Sequence, residues 1–233
     1  MTRLSESAAA GQSGRPAPGA AGPLAALLSD VAAGRFPPPD GGVTILPQPS
    51  ERDAGVIAFS AHAVVFADTD PAWIRSQLPP GDLPAPLSAH FLHALCMRTG
   101  RRAHTVDMLC LAGPLPGDPP VRLTPVTGDG HPRVSRALRF RDDVQVWQAD
   151  GGIVLLGRGV AGRWETGIEV DPGHRGRGLG RRLARAARHL VPGGEPVWAQ
   201  IAPGNAASVR AFLAAGFRPV GAEALLSSSE GSG

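Results

Sequence analysis

The sequence predicts an α/β fold built on a mixed sheet, with a smaller α/β subdomain ahead of the main one. Three observations carry this. Short β-branched and aromatic runs alternate with helix-period segments along most of the 233 residues. A strand, a glycine-rich turn and an arginine-rich amphipathic helix follow one another over 163–190. After a further strand at Val197–Ile201 comes a helix with Asn205 placed to cap it and Gly216 placed to stop it. Hydrophobic residues make up 42% and charged residues 18%, enough apolar material for a core. No apolar run approaches the roughly 18 residues of a membrane span. Gly, Pro and Arg interrupt the first thirty residues, so no secretory signal is expected.

Taken in order, residues 1–40 are rich in Ala, Gly, Ser and Pro and read as a disordered tail and linker, apart from a short apolar patch at Leu24–Val31. Residues 41–113 form the first subdomain. Val43–Leu46 and Val56–Phe66 read as strands, Pro71 opens a helix through Trp73 and Leu78, and Leu87–Arg98 is a second helix. Val106–Ala112 is a further strand, and the Gly-Pro-Leu-Pro-Gly-Asp-Pro-Pro run at 113–120 is a junction.

The second domain runs over 120–226, with 227–233 as a tail. Pro132–Phe140 is a short helix; Val144–Gln148, Gly152–Gly157 and Arg163–Val170 are strands; Arg175–Leu190 is a helix with Leu179, Leu183 and Leu190 on its apolar stripe. Asn205–Ala215 is the last helix and Phe217–Leu226 a returning strand. Trp147, Trp164 and Trp198 lie on strands and are expected in the core.

All 23 basic residues are Arg, and the chain has no Tyr. The absence of Lys is read as a mark of GC-rich coding. Residues 131–190 hold 12 Arg against 6 acids, so a polyanionic partner is sought there. Cys96 and Cys110 lack metal-ligand spacing and read as reduced thiols of a cytoplasmic protein. No metal is expected.

The chemistry concentrates at Glu169-Val-Asp-Pro-Gly-His-Arg175-Gly176-Arg177-Gly178-Leu179-Gly180. Glycines before a helix let the backbone approach a ligand, and the N–H groups of the turn and helix start attract anions. Arg175, Arg177, Arg181 and Arg182 add charge-assisted hydrogen bonds, and the whole suits a pyrophosphate. Neither the dinucleotide glycine pattern nor the Gly-Lys-Ser/Thr of a P-loop is present. The run Val170-x-Pro172-x-x-Arg175-Gly176-x-Gly178-x-Gly180 resembles the acyl-CoA-binding motif of the general-control-related N-acetyltransferases, the GNAT superfamily. Asn205 to Gly216-Phe217 is similar to that family's second motif, and the resemblance covers about 144–226.

The resemblance implies a GNAT-like mixed sheet with a splayed parallel strand pair, the strands ending at Val170 and Ile201. It implies acetyl-CoA as co-substrate, held by Ile168, Glu169, Val170, Arg175, Gly176, Arg177, Gly178, Leu179, Gly180, Arg181, Asn205, Ser208 and Phe212. The strand backbone around Ile168–Val170 would pair with the pantetheine amides and polarise the thioester carbonyl. An amine of a small molecule or protein would attack directly. Many members have a Tyr seven residues after the motif Asn and a Glu five before it; here these positions hold Phe212 and Gln200. Glu169 and Glu165 are the nearest acids and the candidate catalytic groups. The alternatives are a non-catalytic acyl-CoA-binding module and, more remotely, a basic nucleic-acid-binding protein, for which no recognised motif is present. The acceptor and a homodimeric state stay open, and no membrane partner is expected.

Overall fold

Ten strands form one sheet, in the order β1-β3-β2-β10-β4-β9-β8-β7-β6-β5. The computed structural model describes residues 22–126 and 132–228. Helix α1 (Pro23–Ala32) comes first, then β1 (Val43–Leu46), β2 (Ala54–Phe59), β3 (His62–Phe66), α2 (Pro71–Gln77), α3 (Ala89–Thr99) and β4 (Arg101–Ala112). They are followed by β5 (Thr124–Pro125), α4 (Pro132–Phe140), β6 (Asp142–Ala149), β7 (Gly152–Arg158), β8 (Trp164–Val170), α5 (Leu179–Leu190), β9 (Val197–Ile201), α6 (Ala206–Ala214) and β10 (Arg218–Ser228). Pairing is parallel for β1 with β3 and for β8 with β9, and antiparallel elsewhere among the described residues. The fold is therefore α/β on a mixed sheet.

Local chemistry sets the helix ends. The Ala72 N–H donates to the Asp70 carboxylate at 2.9 Å and Pro71 follows the cap. The Phe91 N–H donates to the Ser88 hydroxyl at 3.2 Å, and Gly100 closes α3 in the left-handed region at φ 66°. The Ser208 N–H donates to Asn205 at 3.1 Å at the start of α6, as expected from the sequence.

Both faces of the sheet are covered. On one, α5 and α6 bury Leu179, Leu183 and Phe212 against Val154, Val197 and Ile201. On the same side α2 and α3 bury Ile74, Phe91 and Leu95 against Val56, Val65 and Ala224. The opposite face carries α1, whose Leu24, Leu28 and Val31 pack on Ile57, Leu109, Leu111 and Trp198. Helix α4 covers Val146, Ile153 and Leu155 beside it through Val134 and Ala137.

Five expectations change. Residues 22–40 are not a disordered tail, because Leu24, Leu28 and Val31 fall on one stripe of a helix and find an apolar sheet face to bury them. Residues 1–21 lie outside the described residues, as do 229–233, but Ser227 and Ser228 belong to β10. Val56–Phe66 is a hairpin rather than one strand, turning through Ala61 at φ 53°. The junction at 113–120 does not divide the sheet: β4 pairs with β9 on one side and β10 on the other, so both halves build one layer. Pro172–His174 forms a short 3-10 turn, and α5 starts only at Leu179.

Leu28 is 2% exposed, and its truncation leaves a cavity in a layer with little else to fill it. Leu28→Ala should cost about 3 kcal/mol. Urea unfolding is expected to show a lower midpoint at unchanged m; an unshifted midpoint would mean that α1 contributes nothing to the core.

Candidate acyl-CoA wedge and acceptor cavity

The parallel ladder between β8 and β9 holds at Trp164↔Val197 and Glu165↔Trp198, and its register ends there. Towards Val170 and Ile201 the two strands diverge into a wedge. On the helical face this wedge is bordered by Ile168 and Val170, by the start of α5 and by α6. A Cβ on Gly180 would lie 3.5 Å from the Ala211 methyl, 3.7 Å from Val170 and 3.8 Å from Ile168. Gly180 thus marks the point where three elements come together with room for no more than a small group.

The turn into α5 has Gly176 and Gly178 at φ 76°, a region that L side chains rarely adopt. No side chain caps α5, which leaves its first N–H groups for an anion. Arg175, Arg177 and Arg181 are exposed around it. Arg175 Nε donates to the Val170 carbonyl at 3.2 Å and Arg182 Nη1 to the Arg177 carbonyl at 3.2 Å, so two arginines brace the turn. His174 packs against Gly151, where any side chain would collide with the imidazole.

The structure brings the predicted Gly-rich turn, Ile168–Val170 and Gly180 together at the wedge. It engages other predicted contacts in the core, in a helix cap or along the strand. The Leu179 side chain is 5% exposed and belongs to the core. Phe212 is 4% exposed and meets Phe217 edge to face, ring centroids 4.9 Å apart. Asn205 is exposed, and its side chain is engaged in the helix cap. Glu169 is half-buried on β8, opposite Ile153 of β7.

Glu165, a candidate catalytic group from the sequence, is instead engaged in a buried ion cluster. It faces the other side of the sheet and is 3% exposed. Arg141 Nε donates to its Oε2 at 2.9 Å and Arg163 Nε to its Oε1 at 2.9 Å, with the Val160 N–H and Gln200 Nε2 each at 3.3 Å from Oε1. Burial alone would raise its pKa, but Arg163 and Arg141 outweigh burial and hold the carboxyl below its usual range. Arg163 also reaches Glu223 on β10, Nη2 to Oε1 at 2.9 Å and to Oε2 at 2.7 Å. Gln200 Nε2 donates to Glu223 Oε2 at 2.6 Å. Burial raises Glu223 more than Arg163 lowers it, because this acid has one arginine to share where Glu165 has two. The Arg163 guanidinium lies 5.1 Å from the Trp198 ring centroid.

Above this network opens a cavity of about 320 Å3, lined by Glu165, Gln200, Glu223 and Arg141 and, from the N-terminal half, by Arg52, His104, Thr105 and Asp107. Arg52 closes one wall through Asp142 at 3.1 Å and Asp53 at 3.2 Å. Sequence reasoning missed Arg163, Glu223 and Asp107. The signal was an isolated charge within an apolar strand, as in Val220-Gly-Ala-Glu223-Ala-Leu-Leu226. Arg141 is tied to Glu165 and Gln200. Burial pushes the Cys110 thiol up to about 11, which leaves it inert.

Residues 144–217 match the model of the acetyltransferase (GNAT) family, and the chain carries a GNAT acetyltransferase domain over that stretch. Among solved structures, a GCN5-related N-acetyltransferase from Kribbella flavida aligns at 17% identity and a TM-score of 0.39 over 60% of this chain. The chain spans 64% of the length of that relative. A protein described as an acetyltransferase from the GNAT family from Novosphingobium aromaticivorans aligns at 22% identity and a TM-score of 0.40, covering 56% of this chain and 68% of its own. No curated protein matches the chain. Among the described residues no helix is long and apolar enough to cross a membrane, and no cluster suited to a metal ion is present.

Proposed function

We propose that this chain transfers an acetyl or other short acyl group from CoA to a primary amine by direct attack in a ternary complex. The observation that carries the reading is the divergence of β8 and β9 beside an uncapped helix start preceded by two left-handed glycines. The residues present fit the group: a Cβ at Gly180 would begin to fill the wedge, and the exposed Arg175, Arg177 and Arg181 surround the turn. Bound acyl-CoA would supply an activated thioester carbonyl at this position. The N–H groups of Gly178, Leu179 and Gly180 would hold the pyrophosphate, and Ile168, Glu169 and Val170 would border the pantetheine arm. Asn205 and Ser208 hold the start of α6, and Phe212 supports the wall from within the core.

The amine enters from the cavity on the opposite face of the sheet. Gln200 stands between the two sides, holding Glu165 and Glu223 by hydrogen bonds rather than serving as a base. Glu169 remains the acid on the wedge strand. Acceleration then comes chiefly from alignment of amine and thioester, an effect that can supply about 7–11 kcal/mol.

A second reading, a non-catalytic acyl-CoA-binding module, is favoured by the engagement of both Glu165 oxygens and by the buried Phe212. Thiol release from acetyl-CoA across a panel of primary amines decides between them. Release above background for any amine supports transfer, and binding without release supports the module. Gly180 offers a separate test. Its Cβ distances are ordinary van der Waals contacts, so Gly180→Ala should fold and bind acetyl-CoA within about threefold of wild type, while Gly180→Phe should fill the wedge and abolish binding. Equal calorimetric affinities for both variants would place the ligand elsewhere.

A further inference from the structure

The cavity receives a carboxylate from outside the matched family region. Asp107 lies on β4, and its register partner is Glu223 on β10, so two carboxylates stand side by side across one ladder. Leu109, two residues on, pairs with Gln200. Asp107 therefore lies past the Gln200 level, at the end of β9 where β8 and β9 have parted.

The charges of this cavity are unevenly committed. Arg141 is tied to Glu165, Arg163 to Glu165 and Glu223, and Arg52 to Asp53 and Asp142. Arg139, reaching the cavity from α4, lies over the Phe140 ring at 5.5 Å. Asp107 is half-buried and, among the described residues, accepts the Thr105 hydroxyl at 3.0 Å and pairs with no cation. An ionised carboxylate has room for about four hydrogen bonds. The acids of the cavity thus keep one site ready for a cation, beside the apolar surfaces of Leu225 and Phe140.

We propose that Asp107 determines acceptor specificity by binding the ammonium group of a primary alkylamine whose carbon skeleton lies on Leu225 and Phe140. This rests on the acyltransferase reading for its catalytic meaning, while the binding step stands by itself. An alkylamine is almost wholly protonated at neutral pH. A hydrogen bond to a charged partner discriminates it from a neutral isostere by about tenfold or more.

The test uses the full chain and two probes of one shape, phenethylamine and phenethyl alcohol, titrated calorimetrically with acetyl-CoA titrated separately. Wild type is expected to bind the amine at least about tenfold more tightly than the alcohol. Asp107→Asn should lose that preference and Asp107→Glu should keep it, all three proteins binding acetyl-CoA equally. The wild-type comparison needs no variant to fold. Equal affinity for amine and alcohol, no amine binding, or an undiminished preference in folded Asp107→Asn would overturn the assignment. Failure of wild type to bind acetyl-CoA would instead count against the acyltransferase reading and leave the amine result standing.

Discussion

Arg163→Met should destabilise the protein by about 3–5 kcal/mol, because removing one partner of a buried ion cluster leaves the others charged and unpaired. Glu223 loses its arginine outright, and Glu165 keeps only Arg141. In a chain of this size the loss corresponds to a Tm drop of about 10 °C. The pH dependence should shift as well. In wild type, Glu165 lies below its ordinary value of 4.5, so its contribution is present above that pH and is lost as pH falls through the folded pKa. In the variant, Glu223 is raised further, so the folded state binds a proton that the unfolded state has released. Stability then falls as pH rises through the raised pKa, and the variant should recover stability between neutrality and about pH 5. Replacing Glu223 by Leu in the same chain should restore part of the loss, since apolar packing can substitute for a buried pair. Additive losses in the double variant would show that the two residues do not act as a unit.

Gly178→Glu should weaken acetyl-CoA binding by about a hundredfold or more, while costing about 1–2 kcal/mol in folding from the left-handed backbone. A Cβ at this position meets only Arg182 Nη1, at 3.6 Å, so the space for a side chain exists and the fold should survive. The new carboxylate would then stand at the uncapped start of α5, where it would satisfy the helix N–H groups and repel a phosphate. Calorimetry should show this loss in a protein with a native far-ultraviolet spectrum. Unchanged affinity would remove the turn from the binding site.

The wedge was legible because its signals are local. Glycines at 176, 178 and 180, a strand before them and an amphipathic helix after them specify backbone conformation within a dozen residues, and Asn205 with Gly216 does the same for α6. The cavity was not legible, because it is made by pairing across the chain. Asp107 and Glu223 are neighbours only through the β4–β10 ladder, and no periodicity in either segment announces its partner. Helix α1 was missed for a related reason. Ten residues with Gly and Pro on either side are a marginal helix in isolation, and only the apolar face of β2, β4 and β9 gives Leu24, Leu28 and Val31 a place to go. Strand alternation alone did not tell which groups Glu165 meets; its arginines come from the end of α4 and from two residues upstream, and their direction depends on the fold.

Hydrogen exchange of the full chain with and without acetyl-CoA tests the central claim most directly, because it locates binding without requiring an acceptor. Slowed exchange is expected over residues 168–181 and at the start of α6, with α2 and α3, which cover the other end of the sheet, unchanged. Protection confined to other segments, or none at saturating acetyl-CoA, would contradict the assignment of the β8–β9 wedge as the acyl-CoA site.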